Sequence, residues 1–192
     1  MNESVLEHFD LDKMIKKNKV FIATSLDGYI ADKNGGIDWL HSIPNPDQID
    51  MGYGEFMSQI DALVMGRTTF ETVCGFDVDW PYTKPVFVLS NSLKSIPKAY
   101  QGKAKLVNGS LEEILQNAHD KGYHSLYIDG GRTIQGFLKE DLIDEMTITI
   151  IPCLLGGGIP LFSKLPDSLE FECVETKIYL DKIVQNRFIR RN

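Results

Sequence analysis

Three corners of this chain carry residue types suited to holding an anionic ligand. The first is "ALVMGRTTFETV" (62–73), where an apolar run meets Gly66, Arg67, Thr68 and Thr69 at the start of a helical pattern. A helix N-terminus offers free backbone N–H groups and a partial positive charge, which suits phosphate. Gly66 admits a close approach to the main chain, the two threonines add hydroxyl donors, and Arg67 brings a planar fork that matches phosphate oxygens. A capped helix with an exposed arginine would read the same way. The second corner is "IDGGRTIQGFL" (128–138), in which Gly130 and Gly131 separate a strand from a helix containing Arg132 and Thr133. Paired glycines let a flat group or a pyrophosphate lie against the backbone, or simply supply a positive-φ turn. The third is "VLSNSLKS" (88–95), where Leu89 leads into Ser90, Asn91 and Ser92 with Lys94 nearby. Small hydroxyls and a cation suit a ribose phosphate, and equally suit a polar turn. Together the corners predict an elongated ligand with several anionic groups along one sheet edge. No G-K-[ST] follows a strand, and no G-x-G-x-x-G is present, so neither a Walker loop nor a dinucleotide fingerprint is involved.

The bulk numbers narrow the field. A chain of 192 residues, 43% hydrophobic and 24% charged, suits one globular domain. Its formal net charge of −7 argues against nucleic acid as a partner. Cys74, Cys153 and Cys173 form no C-x-x-C pair, so no metal or dithiol motif is expected and each reads as a small buried side chain. No signal-peptide core or membrane-spanning run is visible, which predicts a cytoplasmic protein. Val5, Leu6 and Phe9 fall near helical spacing, so residues 1–18 read as an N-terminal extension with a short helix, ahead of a domain at 19–192.

The elements that must position the corners follow from hydrophobic patterning. Continuous apolar runs at 19–25, 62–66, 85–90 and 125–130 read as central strands covered on both faces. Helical patterns lie between them at 45–60, 67–73, 110–122 and 132–140. Ser110 with Glu113 forms a capping-box signature, and Gly122 marks a stop. Beyond residue 141 the pattern alternates with period two at 144–152, 168–180 and 182–191, the last two joined by a hairpin at "LDK". The expected fold is one α/β domain of three layers: a mixed, mostly parallel sheet with a C-terminal antiparallel hairpin and helices on both faces.

In this order and spacing, "SLDGYIA", "LVMGRTTFE", "FVLSNS" and "LYIDGGRTIQGFL" resemble the dihydrofolate reductase-like superfamily. The likeness is greatest to the reductase domain of bacterial bifunctional riboflavin-biosynthesis deaminase-reductases, and it covers residues 19 to 190. The resemblance implies NADPH. It implies phosphate contacts at Gly66, Arg67, Thr68 and Thr69, and an adenosine end at Leu89, Ser90, Asn91 and Ser92. It places the nicotinamide and pyrophosphate against Gly130, Gly131, Arg132 and Thr133, with Ala23, Ile30 and Ala31 packing on the nicotinamide. The family's mobile loop would be residues 27–40, with Asp27 and Trp39 facing the substrate.

The implied chemistry is hydride transfer to a small pterin- or pyrimidinone-like heterocycle, with Asp50 as proton donor, Asp47 as its rival and Thr149 as the accompanying hydroxyl. Either aspartate also suits a helix start. The segment "PCLLGGGIPLF" (152–162) fits the riboflavin-type branch better than a folate enzyme. The deaminase motif is missing, because Pro152-Cys153 lacks its second cysteine. The resemblance also implies a homodimer, for which the C-terminal strands offer exposed faces. A binding protein of the same fold without turnover, and an interaction domain whose glycine corners are only turns, are the competing readings.

Overall fold

Residues 16–191 are described by a computed structural model. The helix expected within residues 1–18 lies outside them, except that the first strand already begins at Lys17. The apolar runs pair as parallel strands: β1 (Lys17–Ser25), β3 (Ala62–Gly66), β4 (Val86–Leu89) and β6 (Ser125–Asp129). Between β1 and β3 come the three-residue β2 (Tyr29–Ala31) and helix α1 (Tyr53–Ser58). Helix α2 (Arg67–Cys74) follows β3, and strand β5 (Ala104–Val107) follows β4. Helices α3 (Leu111–His119) and α4 (Gly131–Lys139) flank β6. The chain closes with β7 (Glu145–Ile151), the two-residue β8 (Ile159–Pro160), β9 (Phe171–Tyr179) and β10 (Ile183–Arg190).

Eight strands form one sheet in the order β5-β4-β3-β6-β1-β7-β10-β9, and β2 pairs with β8 in a separate two-stranded sheet. Neighbours from β5 to β7 run parallel, while β10 is antiparallel to both β7 and β9. The sheet is sandwiched as expected. On one side Val64, Leu126 and Ile128 pack with Leu115 and Ala118 of α3 and Ile134 and Phe137 of α4. On the other, Leu63, Met65 and Tyr127 pack with Phe56 of α1 and Phe70 of α2. Neighbouring residues of β3 thus serve opposite cores, which is why the strand reads as an unbroken apolar run.

The capping box at Ser110 is present: its hydroxyl accepts the Glu113 N–H at 3.2 Å and the Glu113 carboxylate accepts the Ser110 N–H at 2.9 Å. Replacing Ser110 with alanine is expected to lower stability by about 1 kcal/mol, the usual effect of losing such a cap, measured by denaturant unfolding. Leu180 and Asp181 both take positive φ in the tight β9–β10 turn, without a glycine.

Three expectations change. The helix over 45–60 shrinks to Tyr53–Ser58, because Gln48, Met51 and Gly52 take positive φ that a helix cannot continue through. Strand β9 shows no alternating burial, since it ends the sheet and neither face is fully covered. Cys173 lies exposed on that strand, and Cys74 and Cys153 are only partly buried. Among the described residues, no helix is long and apolar enough to cross a membrane.

Candidate active site

Strand register brings the three corners into line. Gly66 pairs with Leu89, and Met65 pairs with Asp129, so Gly66, Ser90 and Gly130 stand at one level on the carboxyl edge. Helices α2 and α4 start there side by side, and neither has a side chain capping its first N–H groups. Their first turns interlock. A Cβ at Gly66 would lie 3.0 Å from Thr133 Oγ1, and one at Gly130 would collide with the Thr69 hydroxyl. Gly130 has φ 88° and ψ 137°, a backbone open only to glycine. A Cβ at Gly131 would meet Ile30 Cδ1 at 2.7 Å and the Pro160 carbonyl at 3.6 Å. Two uncapped helix N-termini bounded by bare main chain form a cradle with free donors, which fits an anionic, extended group.

Around this cradle, Arg67 and Thr68 are exposed, and Arg67 only leans on Glu71 at 3.9 Å, a surface pair that restrains it weakly. Thr69 and Thr133 face inward, while Arg132 is exposed. Ser90 Oγ accepts N–H bonds from Ser92 (3.2 Å) and Leu93 (2.9 Å) and lies 3.4 Å from Ser92 Oγ, where either hydroxyl can donate, so it shapes its own turn. Asn91 and Ser92 are exposed beside it. Ala23 pairs with Thr149 across β1 and β7, and Ala31 is buried in β2.

The segment expected to move is tied down at several points. The Asp27 carboxylate accepts the Ser25 hydroxyl at 2.6 Å, the Leu155 N–H at 3.1 Å and the Gly156 N–H at 2.8 Å. These bonds, led by that of Ser25, hold its pKa below the usual aspartate value. Asp27 therefore knits the β1–β2 corner to the loop after β7. Asp32 closes the next turn by accepting the Asn34 and Gly36 N–H groups. Trp39 sits in a short 3-10 turn, its indole N–H buried without a partner among the described residues.

Asp50 is exposed, with Oδ1 accepting the Gly52 N–H at 2.9 Å and Oδ2 the Gly54 N–H at 3.0 Å. Both bonds favour the ionised form and push its pKa down, which suits a brace for the start of α1 better than a proton donor. Asp47 is exposed one turn earlier in the loop. Thr149 is buried and accepts Gln185 Nε2 at 2.8 Å, and the same amide donates to the Met51 carbonyl at 3.0 Å. Thr149 thus reaches the Asp50 loop through Gln185, a contact across 36 residues that local patterning does not reveal.

The residue that sequence reading passed over is Asp129. It ends β6 directly before the paired glycines, and its carboxylate accepts the Gly130 N–H at 2.8 Å. Burial pushes its pKa up to about 6, against the opposing pull of that N–H. Tyr53, Tyr82 and Tyr127 lie near enough to feel its charge, and Tyr53 is raised to about 12, by burial first and then by Asp129. An acidic residue closing an otherwise apolar strand was the available signal. Two residues beyond the register pair Lys19–Tyr127 stand Phe21 on β1 and Asp129 on β6. Phe21 also lines a cavity of about 250 Å³ with Phe56, Thr147, Gln185 and Arg187. Glu145 lies there 9% exposed, with Lys19 at 3.9 Å and Arg187 at 3.5 Å. A carboxyl whose pKa burial raises toward neutrality thus closes β6 directly at the phosphate-type cradle.

Known proteins are similar to this chain in sequence and fold. The uncharacterized protein YwjB of Bacillus subtilis is 34% identical over 180 residues, 92% of this chain and 99% of its own. A solved structure from Shewanella sp. PV-4, named for riboflavin biosynthesis, is 55% identical with a TM-score of 0.90, covering 92% of this chain and 99% of its own. Two more distant structures share the fold. The Thermotoga maritima deaminase/reductase (17% identical, TM-score 0.72) is matched over 93% of this chain and 58% of its own. The dihydrofolate reductase of Enterococcus faecalis complexed with NADP(H) (16% identical, TM-score 0.64) is matched over 92% and 97%. The fold is therefore dihydrofolate reductase-like, and the RibD C-terminal domain family matches residues 18–184, a span that takes in all three corners. With that match running from β1 into β10, the chain belongs to the RibD C-terminal domain family.

Proposed function

We propose that this protein is an NADPH-dependent reductase of a small pterin- or pyrimidinone-like heterocycle. The observation that carries the reading is the meeting of two uncapped helix N-termini with Asp129 at one sheet edge. The E. faecalis neighbour is a complex with NADP(H), and its fold matches here. The bound cofactor supplies a hydride. Gly66, Gly130 and Gly131 would leave room for its phosphates and ring against the backbone, and the first-turn N–H groups would hold the anionic part. Ala23 and Ile30 would flank the nicotinamide. Hydride addition to a C=N or C=O carbon leaves a heteroatom that needs a proton, and Asp129 supplies it from a carboxyl whose pKa burial raises to about 6. Phe21 and Phe56 give the neighbouring cavity an apolar wall on one side, opposite its polar and charged lining.

Titrating NADPH while following tryptophan fluorescence tests cofactor binding, and a screen of heterocycles for NADPH oxidation tests turnover. Binding without oxidation of any heterocycle would favour a binding protein of this fold, and no binding would remove the reading. Arg67 is expected to read the 2′-phosphate. Arg67→Ala should weaken NADPH about 10- to 100-fold, the range for losing a charged hydrogen bond, and leave NADH nearly unchanged. Equal losses for both cofactors would take Arg67 out of that role.

A further inference from the structure

Asp129 stands on the same face of β6 as Tyr127, because alternate residues of a strand share a face. Tyr127 packs with Phe56 of α1 and Phe70 of α2, so Asp129 belongs to the α1 and α2 side of the sheet. Aromatic rings wall that side. Between ring centroids, Phe21 lies 5.6 Å from Tyr53 and 5.0 Å from Phe56, and Phe56 lies 5.1 Å from Tyr127. In the segment after α2, Tyr82 sits 5.3 Å from Trp80. Tyr53 and Tyr82 both feel the charge of Asp129, so a flat group in contact with that carboxyl meets α1 on one flank and residues 75–85 on the other.

Both flanks are acidic. Residues 42–58 hold Asp47, Asp50 and Glu55, all exposed, and no lysine or arginine. Residues 75–85 hold Asp77 and Asp79, both exposed, against Lys84. The cations of the neighbouring strands are already held. Lys19 donates to Gln59 Oε1 at 2.8 Å and lies 3.9 Å from Glu145. Arg187 lies 3.5 Å from Glu145 and 3.6 Å from Glu175, and Lys177 lies 3.1 Å from Glu175. The cavity beside α1 thus sets Glu55, Glu145 and Glu175 against Lys177 and Arg187, with no cation to spare. Lys33 lies against Gly157 in the loop after β7. Arg67 and Arg132 stand in the first turns of α2 and α4, at the cradle given above to the cofactor's anionic part.

A phosphate monoester brings about −1.5 to −2 charges, and a glutamyl tail brings a pair of carboxylates. Holding either takes free arginine or lysine donors. With carboxylates on both flanks, the field at the mouth repels such a tail. We infer that the substrate is a flat heterocycle without an anionic tail, carrying neither a phosphate nor a glutamyl group. The inference rests on the reductase reading above and narrows its substrate. Asp47, Asp50, Asp77 and Asp79 then act in specificity, turning away phosphorylated or glutamylated relatives of a neutral ring.

The test uses the full chain with saturating NADPH and two matched pairs of compounds. One pair is a dihydropterin with only a methyl side chain against dihydrofolate. The other is a ribosylaminouracil against its phosphate monoester. NADPH oxidation gives kcat/KM, and calorimetry on the NADP+-loaded chain gives binding. Both should favour the tailless member of a pair by about 10-fold or more. The gap should narrow as salt rises to roughly 0.5 M, because screening weakens the repulsion. Asp77→Lys combined with Asp79→Lys should narrow it too, with kcat for the tailless member unchanged. Equal or greater kcat/KM for the anionic member of either pair overturns the inference, as does a gap that neither salt nor the double variant moves. Either result leaves the reductase reading standing, since NADPH is still oxidised. A chain that binds NADPH but none of these compounds overturns both the inference and the heterocycle reading. A chain that does not bind NADPH removes the reductase reading, and the inference with it.

Discussion

Asp129→Asn is expected to lower kcat by about 10²- to 10⁴-fold, the range for removing a positioned proton donor. Asparagine keeps the shape and can still accept the Gly130 N–H bond, which spans 2.8 Å in the parent chain. NADPH affinity by fluorescence titration should therefore stay close to wild type while oxidation collapses. The pH profile supplies a second readout. Burial holds the Asp129 pKa at about 6, so the donor is present below that pH and lost as pH rises through it. The wild-type rate should fall about tenfold per pH unit on the alkaline limb, and the asparagine variant should lack that limb. Linkage has the matching sign. The folded-state pKa lies above the ordinary aspartate value of about 3.9, so the native chain binds more protons in that window than the unfolded chain does. Stability should fall as pH rises from about 3.9 to about 6, and Asp129→Asn should flatten this part of the curve in denaturant unfolding. Wild-type turnover with an unchanged profile in the variant would return the proton donor to Asp50 or another group.

Gly130→Ala is the second large effect. Its φ of 88° with ψ of 137° is strained for any residue with a side chain, by about 1–3 kcal/mol. The new methyl would also collide with the Thr69 hydroxyl and sit 3.2 Å from Thr69 Cβ. Relief requires α2 and α4 to move apart, which widens the cradle where both sets of free N–H groups converge. The variant should lower the melting temperature and weaken NADPH by about tenfold or more, since one lost anion contact already amounts to about 1.5–3 kcal/mol. Thr69→Ala in the same chain removes the colliding hydroxyl and should recover part of the stability, leaving only the backbone strain. Unchanged affinity in Gly130→Ala would show that the cofactor does not depend on this cradle.

Much of the fold was legible in the sequence for a specific reason. Strands β1, β3, β4 and β6 are largely covered on both faces, so their continuous apolar runs carried an unambiguous signal. The Ser110–Glu113 capping box and Gly122 were equally readable, because caps are local chemistry. Strand β5 escaped notice: it has four residues, none fully buried. The β2–β8 pair escaped too, since its partners lie over a hundred residues apart and one of them contains a proline. The loop before α1 was misread because positive φ at Gln48 and Met51 is imposed by surroundings that no propensity encodes.

By itself, the sequence determined where the central apolar runs become strands, where α2, α3 and α4 begin and which glycines stand at the starts of α2 and α4. Each of these depends on contacts within a few residues. Only the tertiary structure decided which groups share a site. Parallel register set Gly66 beside Leu89 and Met65 beside Asp129, burial among distant aromatics turned Asp129 into an acid near neutrality, and hydrogen bonds to neighbouring loops committed Asp27 and Asp50 to holding the backbone. A side chain's pKa and partners depend on what the fold packs around it, and those neighbours come from far along the chain.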